Sequence, residues 1–157
     1  MNAAYSGRLP APLAPATFGA RIFSDPSFGA FWILRIGFVL LPLLMGVDKF
    51  FNVMTYWPDY LAPWVVSLLP FSAAAAMYLV GAVEIIAGIA IAIKPRYASY
   101  IVALWLLGII VNLLLLGGVL DVALRDVGLL VAALALSRLA AEFDPPFGAR
   151  QRKARTP

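Results

Sequence analysis

Seven polar residues stand within or at the edges of long apolar runs: Arg35, Asp48, Lys49, Glu84, Asn112, Arg125 and Asp126. Near the centre of a bilayer a charged side chain costs about 2.5–3.5 kcal/mol on insertion scales unless it is paired or neutral. Glu84, near the middle of its run, must therefore face protein. Side chains of this kind do one of two things: they tie helices together through ion pairs and hydrogen bonds, or they line a pocket where they bind a ligand and relay protons. Both readings apply to this set. Asp121 and Arg125, spaced i, i+4, can pair along one helix, and Asp48 and Lys49 can snorkel to headgroups. Gly81, Glu84 and Gly88 lie at i, i+3 and i+7, so they share a helix face on which the two glycines admit a neighbouring backbone. Counting about 1.5 Å per residue from the basic ends of the first two runs places Arg35 and Glu84 at similar depth. A salt bridge between them is the expectation.

Some chemistries are excluded at the outset. The chain of 157 residues has no histidine and no cysteine, which removes the usual ligands of haem, zinc and iron–sulfur clusters and both common nucleophile–base pairs. No metal site and no cofactor held by this chain alone are expected, and any redox group must belong to a partner. Met45, Met54 and Met77 read as packing or interface residues. The net charge of +4 does not indicate nucleic acid, because the bases sit in the tails and one short loop and form no stripe with interleaved aromatics.

Hydrophobic residues make up 63% and charged residues 13% of the chain, a balance that points to lipid as solvent. Residues 1–27, with Pro10, Pro12, Pro15 and Pro26, read as a flexible arm without the apolar core of a signal peptide. Four apolar runs follow, at about 28–51, 72–93, 97–116 and 119–139, each close to the length needed to span a hydrocarbon core of roughly 30 Å. Pro42 should kink the first run. The second stops at Lys94-Pro95-Arg96, where proline cannot continue a helix, and Gly117-Gly118 ends the third. Arg125 and Asp126 make the fourth the weakest. Between the first two runs, Asn52 to Phe71 carries Tyr56, Trp57, Tyr60 and Trp64 with three prolines, which reads as an interfacial or re-entrant aromatic loop with membrane-anchoring rings. The expected fold is an all-α four-helix transmembrane bundle over 28–140, followed by a basic tail over 141–157.

Sidedness supports the fourth span. With four crossings, Arg8, Arg21, Lys94, Arg96, Arg138, Arg150, Arg152, Lys153 and Arg155 share one side, whereas the segment from Asn52 to Phe71 has no base. The positive-inside rule then puts both termini in the cytoplasm. The tract from Arg150 to Arg155 can also touch anionic lipid.

Taken in order, Leu34-Arg35-Ile36-Gly37, Met45-Gly46-Val47-Asp48-Lys49-Phe50, Gly81-Ala82-Val83-Glu84-Ile85 with Gly88, and Leu124-Arg125-Asp126-Val127-Gly128 resemble the DoxX family of small four-helix membrane proteins. The likeness covers about residues 30–140 and rests on the order and spacing of short motifs. It implies a prokaryotic cytoplasmic-membrane protein and an accessory or anchor subunit of a larger redox assembly, respiratory or quinone-linked. By the same likeness Arg35, Lys49, Glu84, Arg125 and Asp126 form a polar core. Named relatives are subunits linked to quinone-dependent thiosulfate oxidation or to oxidative-stress complexes, so the alternative is a quinone-interacting subunit of an oxidoreductase, with quinone as ligand. A small-solute transporter is a third reading, disfavoured by four spans without an inverted repeat. Expected partners are membrane lipids and either other subunits or further copies of the chain.

Overall fold

Short oxygen-bearing side chains start three of the helices. In the computed structural model, which describes residues 17–146, Thr17 accepts a hydrogen bond from the Ala20 amide, Asp25 from that of Phe28 and Ser72 from that of Ala75. Each satisfies one of the donors that a helix start leaves unpaired. Asp25 is held below the usual carboxylate range, first by the Phe28 N–H and then by the Ser27 hydroxyl, with Arg21 adding charge and slight burial opposing. The helices are α1 (Phe18–Ser24), α2 (Pro26–Phe51), α3 (Pro63–Leu68), α4 (Ala73–Ile93), α5 (Pro95–Leu116) and α6 (Leu120–Phe143), with a 3-10 turn at Trp57–Tyr60. Pro26, Pro63 and Pro95 each occupy a first helical position, where the missing N–H costs nothing. Pro42 lies inside α2, which continues past it. Gly117 and Gly118, both at positive φ, end α5 in a backbone conformation that other residues rarely adopt.

The described residues are all-helical. α2, α4 and α5 are long and apolar enough to cross a membrane. α6, with 24 residues, rises about 36 Å at the standard helical pitch and matches them in length, although Asp121, Arg125, Asp126, Arg138 and Glu142 lower its hydropathy. α2 packs on α4 and α6, and α5 packs on α4 and α6, so the four long helices close into a bundle. Phe31, Phe38, Ile91, Val102, Leu106 and Leu136 fill its centre, with Ala133 and Ala140 letting α6 approach. The outer surface is equally apolar: Ile33, Leu44, Ile86, Ile101, Leu104 and Leu124 are all exposed. A helix that is apolar on every side is at home only where its outer face also avoids water.

Part of the segment read as an arm is helical: α1 occupies residues 18–24 and packs on α2. The Phe18 ring stands 5.2 Å from Trp32 and 5.7 Å from Phe28, and the Arg21 guanidinium lies 4.2 Å above Phe28. Thr17 and Asp25 supply caps that proline content alone concealed. At the same end of the bundle Lys94 bonds Asp144 at 2.7 Å, the Arg96 guanidinium donates to the Ala141 carbonyl, and Arg21 reaches Phe143. The segment after 140 therefore begins as the last turn of α6 and a docked Asp144. Arg8, Arg150, Gln151, Arg152, Lys153 and Arg155 lie outside the described residues.

Candidate functional site

The site begins with two glycines. α2 and α4 run antiparallel, and a Cβ built on Gly46 would lie 2.7 Å from the Gly81 carbonyl oxygen, one on Gly81 2.6 Å from that of Gly46. One turn pair further along, a Cβ on Gly88 would meet the Val39 oxygen at 2.9 Å. Backbone touches backbone along this seam, and the side chains beside it are forced into contact. Helical side chains lean toward their own amino terminus, so in an antiparallel pair Lys49 and Glu84 lean toward each other. Lys49 Nζ donates to Glu84 Oε2 at 2.7 Å, with side chains only 6% and 12% exposed.

The same rule overturns the expected Arg35–Glu84 bridge. Arg35 leans the other way, and its Nη2 donates to the Ala92 carbonyl at 2.5 Å while the guanidinium stacks 4.9 Å above Trp32. The equal-depth count fails as well: with Gly46 against Gly81 and Val39 against Gly88, Arg35 comes level with Ala92 and not with Glu84, and the lean of the long side chains widens the gap.

Asp48 and Lys49 do not snorkel; both are buried. Asp48 accepts hydrogen bonds from the Val53 and Met54 amides and, at 2.7 Å, from Trp57 Nε1. Asn52 closes α2 in the left-handed conformation, at φ 52, and its side chain accepts from the Trp57 amide at 3.1 Å. Together they fold the aromatic loop back so that the Trp57 ring covers Lys49, 3.9 Å from Nζ. Trp57 is thus not the headgroup anchor expected of it; Trp64, 46% exposed, fits that description better. Asn112 on α5 secures the far side of the loop, donating to the Tyr60 carbonyl at 2.7 Å and accepting from the Ala62 amide at 3.0 Å.

Ala62 is fully buried, and an unsatisfied buried donor costs about 1–3 kcal/mol. Asn112→Ala should therefore open the loop locally and raise its rate of protease cleavage in detergent about tenfold. Limited proteolysis mapped by mass spectrometry checks this, and Asn112→Asp, which keeps the acceptor for Ala62, should fall between the two.

α6 contributes one member to the cluster and withholds another. Asp126 is half-buried and within electrostatic range of Lys49 and Glu84, so one cationic group faces carboxylates from two helices. Arg125 points away and pairs with Asp121 at 3.1 Å on an exposed face, the two side chains 75% and 67% exposed; such pairs contribute little. Met77 is buried, Met45 partly so and Met54 exposed. Of the seven residues singled out in the sequence, Asp48, Lys49, Glu84 and Asp126 converge with Asn112 behind the loop, while Arg35 and Arg125 lie elsewhere. Trp57 and Asn52 were missed, because nothing in their spacing sets them apart from other loop residues.

The arrangement can hold helices together, and it can retain charge inside the bundle. Among the described residues no group of three or more carboxylate, imidazole or thiol side chains converges in a way that could hold a metal ion. No family model, no curated protein and no solved structure matches the chain.

Proposed function

We propose that the chain is a four-span protein of a prokaryotic cytoplasmic membrane, DoxX-like, with both termini in the cytoplasm, and that it works as an accessory or anchor subunit of a larger membrane redox assembly. The observation that carries this reading is how the interior polar groups are used. Lys49 is bound to Glu84 and Trp57, Asp48 to the loop, and Asn112 to Tyr60 and Ala62. Groups committed to one another serve the shape of the bundle first. Support for the fourth span comes from α6, which packs along both α2 and α5 and has the length to cross with them. The concentration of Arg21, Lys94, Arg96 and Arg138 toward one end supports the sidedness. The apolar outer faces suit lipid and neighbouring subunits alike.

Extraction of the protein from its native membrane in a mild detergent, followed by identification of everything that co-migrates, tests the proposal. Stoichiometric haem, flavin or sulfur-transfer subunits are the expected result. A lone homo-oligomer would overturn the anchor role. A quinone-interacting subunit is the second reading, favoured by Asp126, a carboxylate set beside an ion pair where a proton could be exchanged with a bound quinone. Loss of quinol-linked activity from a fully assembled complex carrying Asp126→Asn would prefer that reading.

A further inference from the structure

Arg35 is left over from the polar core, and its surroundings are those of a lipid site. Beside it, Trp32, Ile36, Val39, Leu40 and Ala92 line an open groove of about 290 Å³ on the outside of the bundle. That is smaller than the roughly 300–1,000 Å³ of pockets that enclose a small molecule, and its walls are apolar apart from Arg35. Ile36 and Leu40 are each 52% exposed, so the groove opens sideways, toward whatever surrounds the helices.

Charge decides the occupant. Among the described residues no carboxylate pairs with Arg35; of the acids at this end, Asp25 pairs with Arg21 and Asp144 with Lys94, and no ion pair joins Arg35 to Glu142. One guanidinium N–H is spent on the Ala92 carbonyl, which leaves other donors of the planar fork to seek an anion. Depth narrows the choice. Ala92 immediately precedes Ile93, the last residue of α4, and the basic junction Lys94–Arg96 follows. The guanidinium therefore lies level with a helix end, at headgroup height, while the groove runs from it toward the middle of α2.

We infer that this groove binds an anionic phospholipid, with the phosphate on Arg35 beside Trp32 and one acyl chain along Ile36, Val39 and Leu40. The inference rests on the proposed membrane insertion. Arg–phosphate pairing is bidentate and charge-assisted, and each base near an anionic leaflet is worth about 1 kcal/mol, roughly a fivefold preference.

The test uses the full chain reconstituted in vesicles of equal phosphatidylglycerol and phosphatidylcholine, washed with carbonate, extracted in mild detergent and analysed for retained lipid by native mass spectrometry. Retention of phosphatidylglycerol over phosphatidylcholine by about fivefold is expected. Arg35→Ala should abolish the preference, Arg35→Lys should keep part of it, and Leu40→Trp, which fills the groove, should reduce retention of both lipids. Equal retention by the unaltered protein, no change in Arg35→Ala, or displacement of the lipid by inorganic phosphate alone would each overturn the inference. A protein that washes off with carbonate would overturn the membrane reading as well; one that stays in the vesicles without lipid preference overturns the lipid site alone.

Discussion

Lys49→Met should be the most destabilising single substitution of a polar residue in this protein, costing about 3–5 kcal/mol, the usual range for removing one partner of a buried ion pair. Glu84→Leu should cost less. The asymmetry comes from the third helix. Without Lys49, Glu84 is left within electrostatic range of Asp126 with no paired cation, and Trp57 loses the group it covers. Without Glu84, Lys49 keeps Trp57 and has Asp126 in electrostatic range as a substitute partner. Met and Leu approximate the volumes they replace, so neither change opens a large cavity. The double variant Lys49→Met/Glu84→Leu should recover most of the loss, because replacing both members of a buried pair by apolar residues is often close to neutral. Unfolding by increasing dodecyl sulfate in mixed micelles, followed by circular dichroism, gives the midpoints for the cycle. A coupling of less than about 0.5 kcal/mol would mean that the pair is not a structural tie.

The double variant also separates the two functional readings. If the interior charges serve the bundle, as the accessory-subunit proposal has it, a chain that folds without them should still enter the proposed complex and sustain its activity. If they serve a quinone or a proton, it should assemble and be inactive. A stable double variant makes the distinction clean, since neither outcome can then be ascribed to misfolding.

The bundle was legible in the sequence because its signals are local and strong. Runs of about 20 apolar residues, Lys94-Pro95 between two of them and Gly117-Gly118 after a third each act within a few residues. α1 was hidden, because Thr17 and Asp25 are capping residues only in relation to a short segment whose apolar face, Phe18 and Ile22, is too brief for periodicity to register. The site was half legible. Burial cost singled out Glu84 and the Gly81–Gly88 face without any knowledge of neighbours. Its partner could not be found by counting depth, since the choice between Arg35 and Lys49 turns on side-chain direction and on the register set by Gly46 against Gly81. Trp57 was out of reach for a different reason. Its position over Lys49 depends on the turn that Asp48 and Asn52 build, a product of backbone geometry after a helix end. In the sequence it is one of several aromatic residues in a loop.

Gly81→Ala tests the register itself. The added methyl carbon would lie 2.6 Å from the Gly46 carbonyl oxygen and 3.1 Å from both Lys49 Cβ and Phe50 Cε2. A flexible side chain could turn aside, but a helix backbone cannot, so α2 and α4 must move apart. Overpacking of this kind costs about 1–3 kcal/mol, set against a helix-propensity gain of up to about 1 kcal/mol for exchanging glycine for alanine. The net effect should be a loss of about 1–2 kcal/mol, read as a lower unfolding midpoint in the same micelles. Gly81→Leu should prevent recovery of folded protein. Gly46→Ala meets the reciprocal contact at 2.7 Å and should behave like Gly81→Ala; the two together should cost less than their sum, because the first already parts the helices. Gly108→Ala and Gly128→Ala supply the contrast. Neither new methyl would meet anything within 4 Å, so both should be neutral or stabilising by up to about 1 kcal/mol. A result in which all four alanines behave alike would show that the α2–α4 seam is not held by backbone contact, and the close approach that brings Lys49 to Glu84 would lose its cause.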